Sequence, residues 1–151
     1  MVVFIDDPDR REAIARQVLE ALPDWFGMVE GREAYIRGSR AQPFWADMEN
    51  GAARGFLTLK ETSPYTAELA VMGVLPGYHR QGIGRALFEA FRRYAGDRGY
   101  AFLQVKTVRE GCYGTYDQTN AFYKSLGFRE LECFPTLWDE QNPCQIYVMA
   151  V

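Results

Sequence analysis

The stretch that decides the fold covers residues 67–94 and reads AELAVMGVLPGYHRQGIGRALFEAFRRY. Its first part, 69–75, is a nearly unbroken apolar run, short enough to be a strand covered on both faces. From Ile83 onward, apolar residues recur at i, i+3, i+4 and i+7, and the other face carries Arg85, Glu89, Arg92 and Arg93. This spacing predicts an amphipathic surface helix. The turn 79–84 therefore lies between a buried strand and a helix N-terminus.

The turn has the properties of an anion site. Amides in the first turn of a helix lack intrahelical acceptors and lie at the positive end of its dipole, and Gly82 and Gly84 would let a ligand approach the main chain. The turn therefore predicts a phosphate or pyrophosphate site. Neither nucleotide motif fits, because Arg85 follows where a P-loop has lysine and Leu87 stands where a dinucleotide fingerprint has its third glycine. Taken alone, the two glycines also fit a plain turn.

The rest of the chain predicts a mixed α/β fold. A strand, a helix and a second strand in succession, around the quoted stretch, predict a right-handed crossover and one parallel pair. Asn50-Gly51 predicts a hairpin turn, and Gly127 a helix C-cap. A long loop with Pro135, Trp138 and Pro143 is expected between the last two strands. Strands are predicted at 2–5, 44–48, 54–60, 66–75, 101–108, 128–134 and 145–150, and helices at 9–22, 32–40, from 83, and at 118–126 with Ala121, Phe122, Ser125 and Leu126 on one side.

These elements predict one domain of residues 1–151, with about seven strands, mostly antiparallel, and about four helices. The formal net charge of −3 argues against nucleic acid as a partner. No apolar run reaches membrane-spanning length and no signal peptide is recognisable, so no membrane contact and a cytoplasmic location are expected. Three widely spaced cysteines and a single histidine predict reduced thiols and no metal site.

A longer pattern resembles motif A of the GNAT superfamily of acetyl-CoA-dependent N-acetyltransferases. The matching positions are Pro76, Tyr78, Gly82, Ile83, Gly84 and Leu87. His79 departs from this motif, which has Gln or Arg there, so a fixed charge is replaced by a titratable or neutral donor. The segment TNAFYKSLGF, residues 119–128, is similar to the family's motif B. The order of elements also resembles the GNAT fold along the whole chain, including a parallel pair that splays apart.

The resemblance implies acetyl-CoA as co-substrate. Loop amides would hold its pyrophosphate, and the backbone of Met72 and Val74 would pair with its pantetheine arm in the splay. Tyr123 would protonate the leaving thiolate, and Glu68 would act as general base through water. For Glu68 an alternative is a solvent-facing carboxylate paired with Lys60 or Arg54. The implied cofactor-binding residues are Met72, Val74, His79, Arg80, Gln81, Gly82, Ile83, Gly84, Arg85, Asn120 and Tyr123.

The acceptor pocket implied by the resemblance would be lined by aromatic side chains, each of which also fits plain packing: Trp25, Phe26, Tyr35, Tyr116 and Trp138. The predicted activity is acetyl transfer to a primary amine of a small-molecule or aminoacyl acceptor, by direct attack in a ternary complex. One alternative is a protein lysine or N-terminal acetyltransferase. Another is a non-catalytic acyl-CoA-binding sensor. Dimers are common among proteins that resemble this chain, which makes a homodimer a further option.

Overall fold

The structure is a computed structural model that describes all 151 residues. Seven strands and four helices follow one another along the chain, with a single turn of tighter helix at Ser39–Ala41. Their bounds are β1 Val2–Phe4, α1 Pro8–Glu20, α2 Val29–Gly38, β2 Phe44–Glu49, β3 Ala52–Ser63, β4 Thr66–Val74, α3 Ile83–Asp97, β5 Phe102–Val108, α4 Gly114–Leu126, β6 Arg129–Asp139 and β7 Asn142–Ala150.

The strands form one mixed sheet in the order β1-β2-β3-β4-β5-β7-β6. Its one parallel pair is β4 with β5, joined through α3. The predicted fold class is therefore confirmed. The Asn50-Gly51 hairpin is also confirmed, because Glu49 pairs with Ala52 and both turn residues have positive φ, 51° and 79°. None of the helices is long and apolar enough to cross a membrane.

The chain divides into two compact units, which are described separately. Unit 1 comprises Met1–Lys60 and Leu69–Tyr94, and unit 2 comprises Glu61–Glu68 and Ala95–Val151. Strand β4 therefore begins in unit 2 and ends in unit 1.

In unit 1, two helices cover opposite faces of the sheet. Successive residues of a strand point to opposite faces, and on β2 the buried Phe44 belongs to the core beneath α1, whereas Trp45 contacts Phe91 of α3 edge to face at 6.3 Å. Helix α1 lies directly on β4, because a Cβ at Gly73 would come within 2.9 Å of Val18 Cγ1. These contacts pack β4 and α3, the two elements that the intervening segment joins, against the rest of unit 1.

In unit 2, helix α4 departs from its predicted bounds and buried side. It begins at Gly114, four residues early, and its buried residues are Asn120, Tyr123 and Leu126. The side predicted to carry Ala121, Phe122, Ser125 and Leu126 is not the buried side of the helix, since Ala121 and Ser125 are exposed. A polar residue, Asn120, occupies the buried stripe instead. It is tolerated there because its side-chain amide is fully hydrogen-bonded. Gly127 ends the helix with φ 111°, as predicted.

The long loop predicted after residue 134 is also wrong. Strands β6 and β7 continue as a hairpin as far as the pair Asp139 and Asn142. The Asp139 carboxylate closes the turn, accepting hydrogen bonds from the amides of Gln141 and Asn142 at 2.9 Å each. Pro135 is tolerated because β6 is the last strand of the sheet and has a free edge.

Candidate functional site

The segment that joins β4 to α3, residues 75–82, forms two consecutive tight turns in unit 1. The Tyr78 amide donates to the Leu75 carbonyl at 3.1 Å, and the Gln81 side-chain amide donates to the Gly77 carbonyl at 3.2 Å. Helix α3 then begins with a hydrogen bond from the Ala86 amide to the Gly82 carbonyl at 3.0 Å. We call residues 75–82 the anion loop.

The space beside Gly82, directly ahead of α3, is open. Gly82 has φ 80°, a left-handed conformation that favours glycine, and a Cβ placed there would meet no atom within 4 Å. The glycine is therefore required by the backbone turn, and the space beside it is open. Arg80 also lies in the left-handed region, with φ 63°. Of the predicted cofactor residues here, His79, Arg80, Gln81, Gly82 and Arg85 are exposed, Gly84 is half-buried, and Ile83 is buried as the first core residue of α3.

His79, which replaces the usual Gln or Arg of motif A, connects three parts of unit 1. Its Nε2 donates to the carbonyl of Val74, the last residue of β4, at 2.6 Å. Its ring contacts the Trp25 ring edge to face at 5.9 Å. The histidine thus ties the anion loop to the end of β4 and to the segment between α1 and α2. Met72 and Val74 are half-buried, and their pairing with a cofactor stays a prediction.

Arg54 supports the anion loop from the neighbouring hairpin, which the sequence did not indicate. Its carbonyl accepts a hydrogen bond from the Leu75 amide at 2.8 Å, and its guanidinium lies 5.6 Å from the centre of the Tyr78 ring. The same guanidinium donates to Asp47 at 2.6 Å and to Glu49 at 2.8 Å.

Asp47, one of the two partners of Arg54, is a buried carboxylate. Burial by itself would raise the pKa of Asp47, but the hydrogen bonds from Arg54 and from the Met1 amino group outweigh it and lower the pKa below its usual value. The side chain is therefore ionised at neutral pH, and its pair with Arg54 persists there.

Glu68, the predicted base, lies in unit 2 near the start of β4. It is only 6% exposed, and it accepts a hydrogen bond from Gln104 at 3.1 Å and pairs with Lys106 at 3.3 Å, both on β5. The alternative of a solvent-facing carboxylate paired with Lys60 or Arg54 is wrong. The period-two alternation of β5 puts Gln104 and Lys106 on one face of that strand, but it does not indicate which strand pairs with β5.

Asn120 and Tyr123 of motif B lie in the packed interior of unit 2. The Asn120 amide group donates to the carbonyls of Val108, at 2.8 Å, and Tyr116, at 2.6 Å, and its oxygen accepts from the Tyr147 hydroxyl at 2.5 Å. Tyr123 is 7% exposed and its ring centre lies 5.9 Å from that of Phe128 and 6.4 Å from that of Tyr147. Asn120 thus holds α4 to the end of β5. The predicted roles of both residues at the cofactor stay predictions.

The five aromatic residues predicted to line the acceptor pocket fall into both units. In unit 1, Trp25 contacts His79, and Phe26 contacts Tyr35 edge to face at 5.9 Å. In unit 2, Tyr116 lies 6.1 Å from the ring of Tyr113, and Trp138 lies on β6 and is 42% exposed. Their roles as pocket walls stay predictions.

The three cysteines are free thiols in different surroundings. Cys112 is exposed, Cys133 is half-buried and Cys144 is buried. Burial raises the pKa of the Cys144 thiol to about 11, so this sulfur is protonated at neutral pH and does not act as a nucleophile.

A protein-family model and several solved structures resemble the part of the chain that contains this site. A family model described as "Acetyltransferase (GNAT) domain" matches residues 39–130, a range that includes the anion loop, Glu68 and Tyr123. No curated protein sequence matches the chain.

Solved structures that resemble the chain share its fold at low sequence identity. A GNAT-family protein from Desulfovibrio desulfuricans is 19% identical with a TM-score of 0.84, covering 99% of both chains. An aminoglycoside 6'-N-acetyltransferase complexed with coenzyme A is 14% identical with a TM-score of 0.77, covering 99% of this chain and 96% of that one. The ribosomal-protein-S18-alanine N-acetyltransferase from Escherichia coli is 20% identical with a TM-score of 0.76, covering 100% and 94%.

Proposed function

The chain belongs to the GNAT family of acetyltransferases, and from this premise we propose that it transfers the acetyl group of acetyl-CoA to a primary amine of a small-molecule or aminoacyl acceptor. The observation that carries the proposal is the anion loop, in which left-handed Gly82, with open space beside it, is followed directly by the N-terminus of α3. An amide-lined helix N-terminus suits a pyrophosphate.

The residues of the anion loop fit the phosphate end of acetyl-CoA. The loop is exposed, the space at Gly82 is open, and Arg80 and Arg85 add positive charge near the amides of α3. The dipole of a 15-residue helix adds to this attraction. In this proposal His79 stabilises the loop through the Val74 carbonyl instead of supplying a fixed charge.

Bound acetyl-CoA would supply the thioester, and residues of unit 2 would move the protons. Attack requires a neutral amine and a leaving thiolate that is protonated as it departs. Glu68 is proposed to accept the ammonium proton through water. Its Oε1 is already occupied by the Gln104 amide at 3.1 Å and the Lys106 ammonium at 3.3 Å, so the proposal assigns the proton to the other carboxylate oxygen, Oε2. Tyr123 is proposed as the acid.

Fewer observations support the choice of acceptor than support acetyl-CoA as the donor. Two of the similar structures are named for acetylation of an aminoglycoside and of an alanine of ribosomal protein S18, which keeps both a small amine and a protein amine under test. The proposal commits to a small or aminoacyl amine. The protein acceptor and the non-catalytic sensor are outcomes that the next experiment separates.

The experiment measures thiol release from acetyl-CoA against amino sugars, aminoacyl amides and peptides, as a function of pH. We expect turnover with a small or aminoacyl amine. Tyr123→Phe, which keeps the ring that packs on Phe128, should lower kcat by about 100-fold. Glu68→Gln should also lower kcat, because it removes the proposed base.

Turnover with peptides but with no small or aminoacyl amine would indicate a protein acceptor instead. Saturable acetyl-CoA binding without turnover on any amine would favour the sensor. Wild-type rates in Tyr123→Phe would return that residue to a packing role. The matched control for Glu68→Gln is Glu61→Gln. The Glu61 carboxylate also accepts a side-chain hydrogen bond, from the Tyr100 hydroxyl at 2.8 Å.

A further inference from the structure

We propose that Arg54 is a positioning residue for the anion loop, which it holds through the Tyr78 ring and the Leu75 amide. The inference rests on the proposed function, because it takes the ligand of the loop to be the pyrophosphate of CoA. It begins with an irregularity in the hairpin of β2 and β3.

Arg54 is the extra residue of a β-bulge. On β2, Asp47 pairs with Gly55 and Met48 pairs with Ala53, so Arg54 has no partner opposite it. A bulge bends its strand and redirects the side chain of the extra residue. The Arg54 side chain is 20% exposed and is directed to the two carboxylates of β2 and to the Tyr78 ring.

Two carboxylates fix the plane of the guanidinium. Nε donates to the buried Asp47 at 2.6 Å and Nη1 donates to Glu49 at 2.8 Å. Charge-assisted hydrogen bonds of this kind are short and directional. Since these acids already neutralise Arg54, its charge is not the one that would attract a phosphate. The role that remains is positional.

The fixed guanidinium provides a flat surface for the anion loop. It lies 5.6 Å from the centre of the Tyr78 ring, within cation–π range. The Arg54 carbonyl holds the Leu75 amide at 2.8 Å, and Leu75 in turn accepts from the Tyr78 amide at 3.1 Å. Arg54 therefore fixes the beginning of the loop at two points. These contacts matter because residues 76–82 are all exposed.

The orientation of the loop amides depends on these two points. The other tie to the loop is His79, at the Val74 carbonyl. Without the Tyr78 anchor the loop keeps its sequence and its glycines but loses part of its preorganisation. A preorganised loop binds its ligand more tightly than a mobile one, because less of the loop has to be ordered on binding, so loss of this anchor should weaken binding of the pyrophosphate specifically.

The test compares two donors, acetyl-CoA and S-acetylpantetheine, which lacks the pyrophosphate. We expect Tyr78→Ala to raise the calorimetric Kd for CoA and the KM for acetyl-CoA by about 10-fold, with kcat/KM for S-acetylpantetheine unchanged. Tyr78→Phe keeps the ring and should restore the affinity. Arg54→Ala should act like Tyr78→Ala, and the double variant should be no weaker than either single one.

Arg54→Ala leaves the Asp47 carboxylate buried without its main partner and could fail to fold, which is why the two Tyr78 variants carry the test. Arg40→Ala is the matched control, because Arg40 bonds two carboxylates, Asp9 at 2.8 Å and Glu12 at 2.6 Å, beside α1. It should leave the Kd for CoA unchanged.

Equal Kd values for wild type and Tyr78→Ala would overturn the inference alone. The same holds if Tyr78→Ala weakens both donors equally, since the effect would then not depend on the pyrophosphate. A wild-type protein that does not bind CoA would overturn the proposed function, and this inference with it.

Discussion

At the scale of single residues, Asn120 joins α4, β5 and β7 through one amide group. We expect Asn120→Ala to lower the free energy of unfolding by about 1–3 kcal/mol, because it leaves the buried Tyr147 hydroxyl without its acceptor. Urea unfolding measures this. Tyr147→Phe removes the same hydrogen bond, so the double variant should lose less than the two single losses added. Full additivity would contradict the network.

An unchanged Kd for CoA in Asn120→Ala would count against its predicted cofactor contact.

Asp47 is the residue through which pH should act on stability. Burial alone would raise its pKa, but Arg54 and the Met1 amino group lower it on balance. A lowered folded-state pKa stabilises the fold above the unfolded-state pKa of about 3.9, and this contribution is lost as pH falls through the folded-state value. The difference in unfolding free energy between wild type and Asp47→Asn should be constant above about pH 5 and shrink below about pH 4. Asp24→Asn, at an exposed position, is the control. A difference independent of pH would contradict this assignment.

At the scale of elements, glycines set how closely β3 and β4 approach. A Cβ at Gly55 would lie 2.9 Å from the Gly73 carbonyl oxygen, which is backbone and moves little, so Gly55→Ala should cost about 1–3 kcal/mol of unfolding free energy. Gly31 lies in α2 and a Cβ there meets nothing within 4 Å. Gly31→Ala should therefore stabilise by about 0.5–1 kcal/mol. Both are measured by urea unfolding, and destabilisation of equal size in the two variants would contradict the close approach of β3 and β4.

Elements whose signals are local could be predicted from the sequence, and those decided by distant partners could not. The anion loop, the Asn50-Gly51 hairpin and the Gly127 cap depend on neighbouring residues. The partners of Glu68 depend on pairing with a strand about 36 residues away, and the buried stripe of α4 depends on where the Asn120 amide finds acceptors. The β6–β7 hairpin was missed because Pro135 and Pro143 usually indicate a loop, although an edge strand accepts proline.

At the scale of the whole molecule, the proposed function depends on binding of acetyl-CoA through the anion loop. The family match and the fold support acetyl transfer in general. The sequence predicts an amine acceptor but not which amine, because that choice depends on side chains whose roles sequence spacing does not determine, such as Trp25 and Trp138.

The most direct measurement is calorimetric titration of the purified protein with acetyl-CoA, with ATP as the comparison ligand. Gly82→Asp places a carboxylate where the pyrophosphate is proposed to lie. Gly99→Asp is its control, because Gly99 has nearly the same φ, 81° against 80°, and equally open surroundings after α3. We expect saturable binding of acetyl-CoA but not of ATP, and we expect this binding to be retained in Gly99→Asp and lost in Gly82→Asp. Wild-type affinity in Gly82→Asp, or no binding by the wild type, would contradict this expectation.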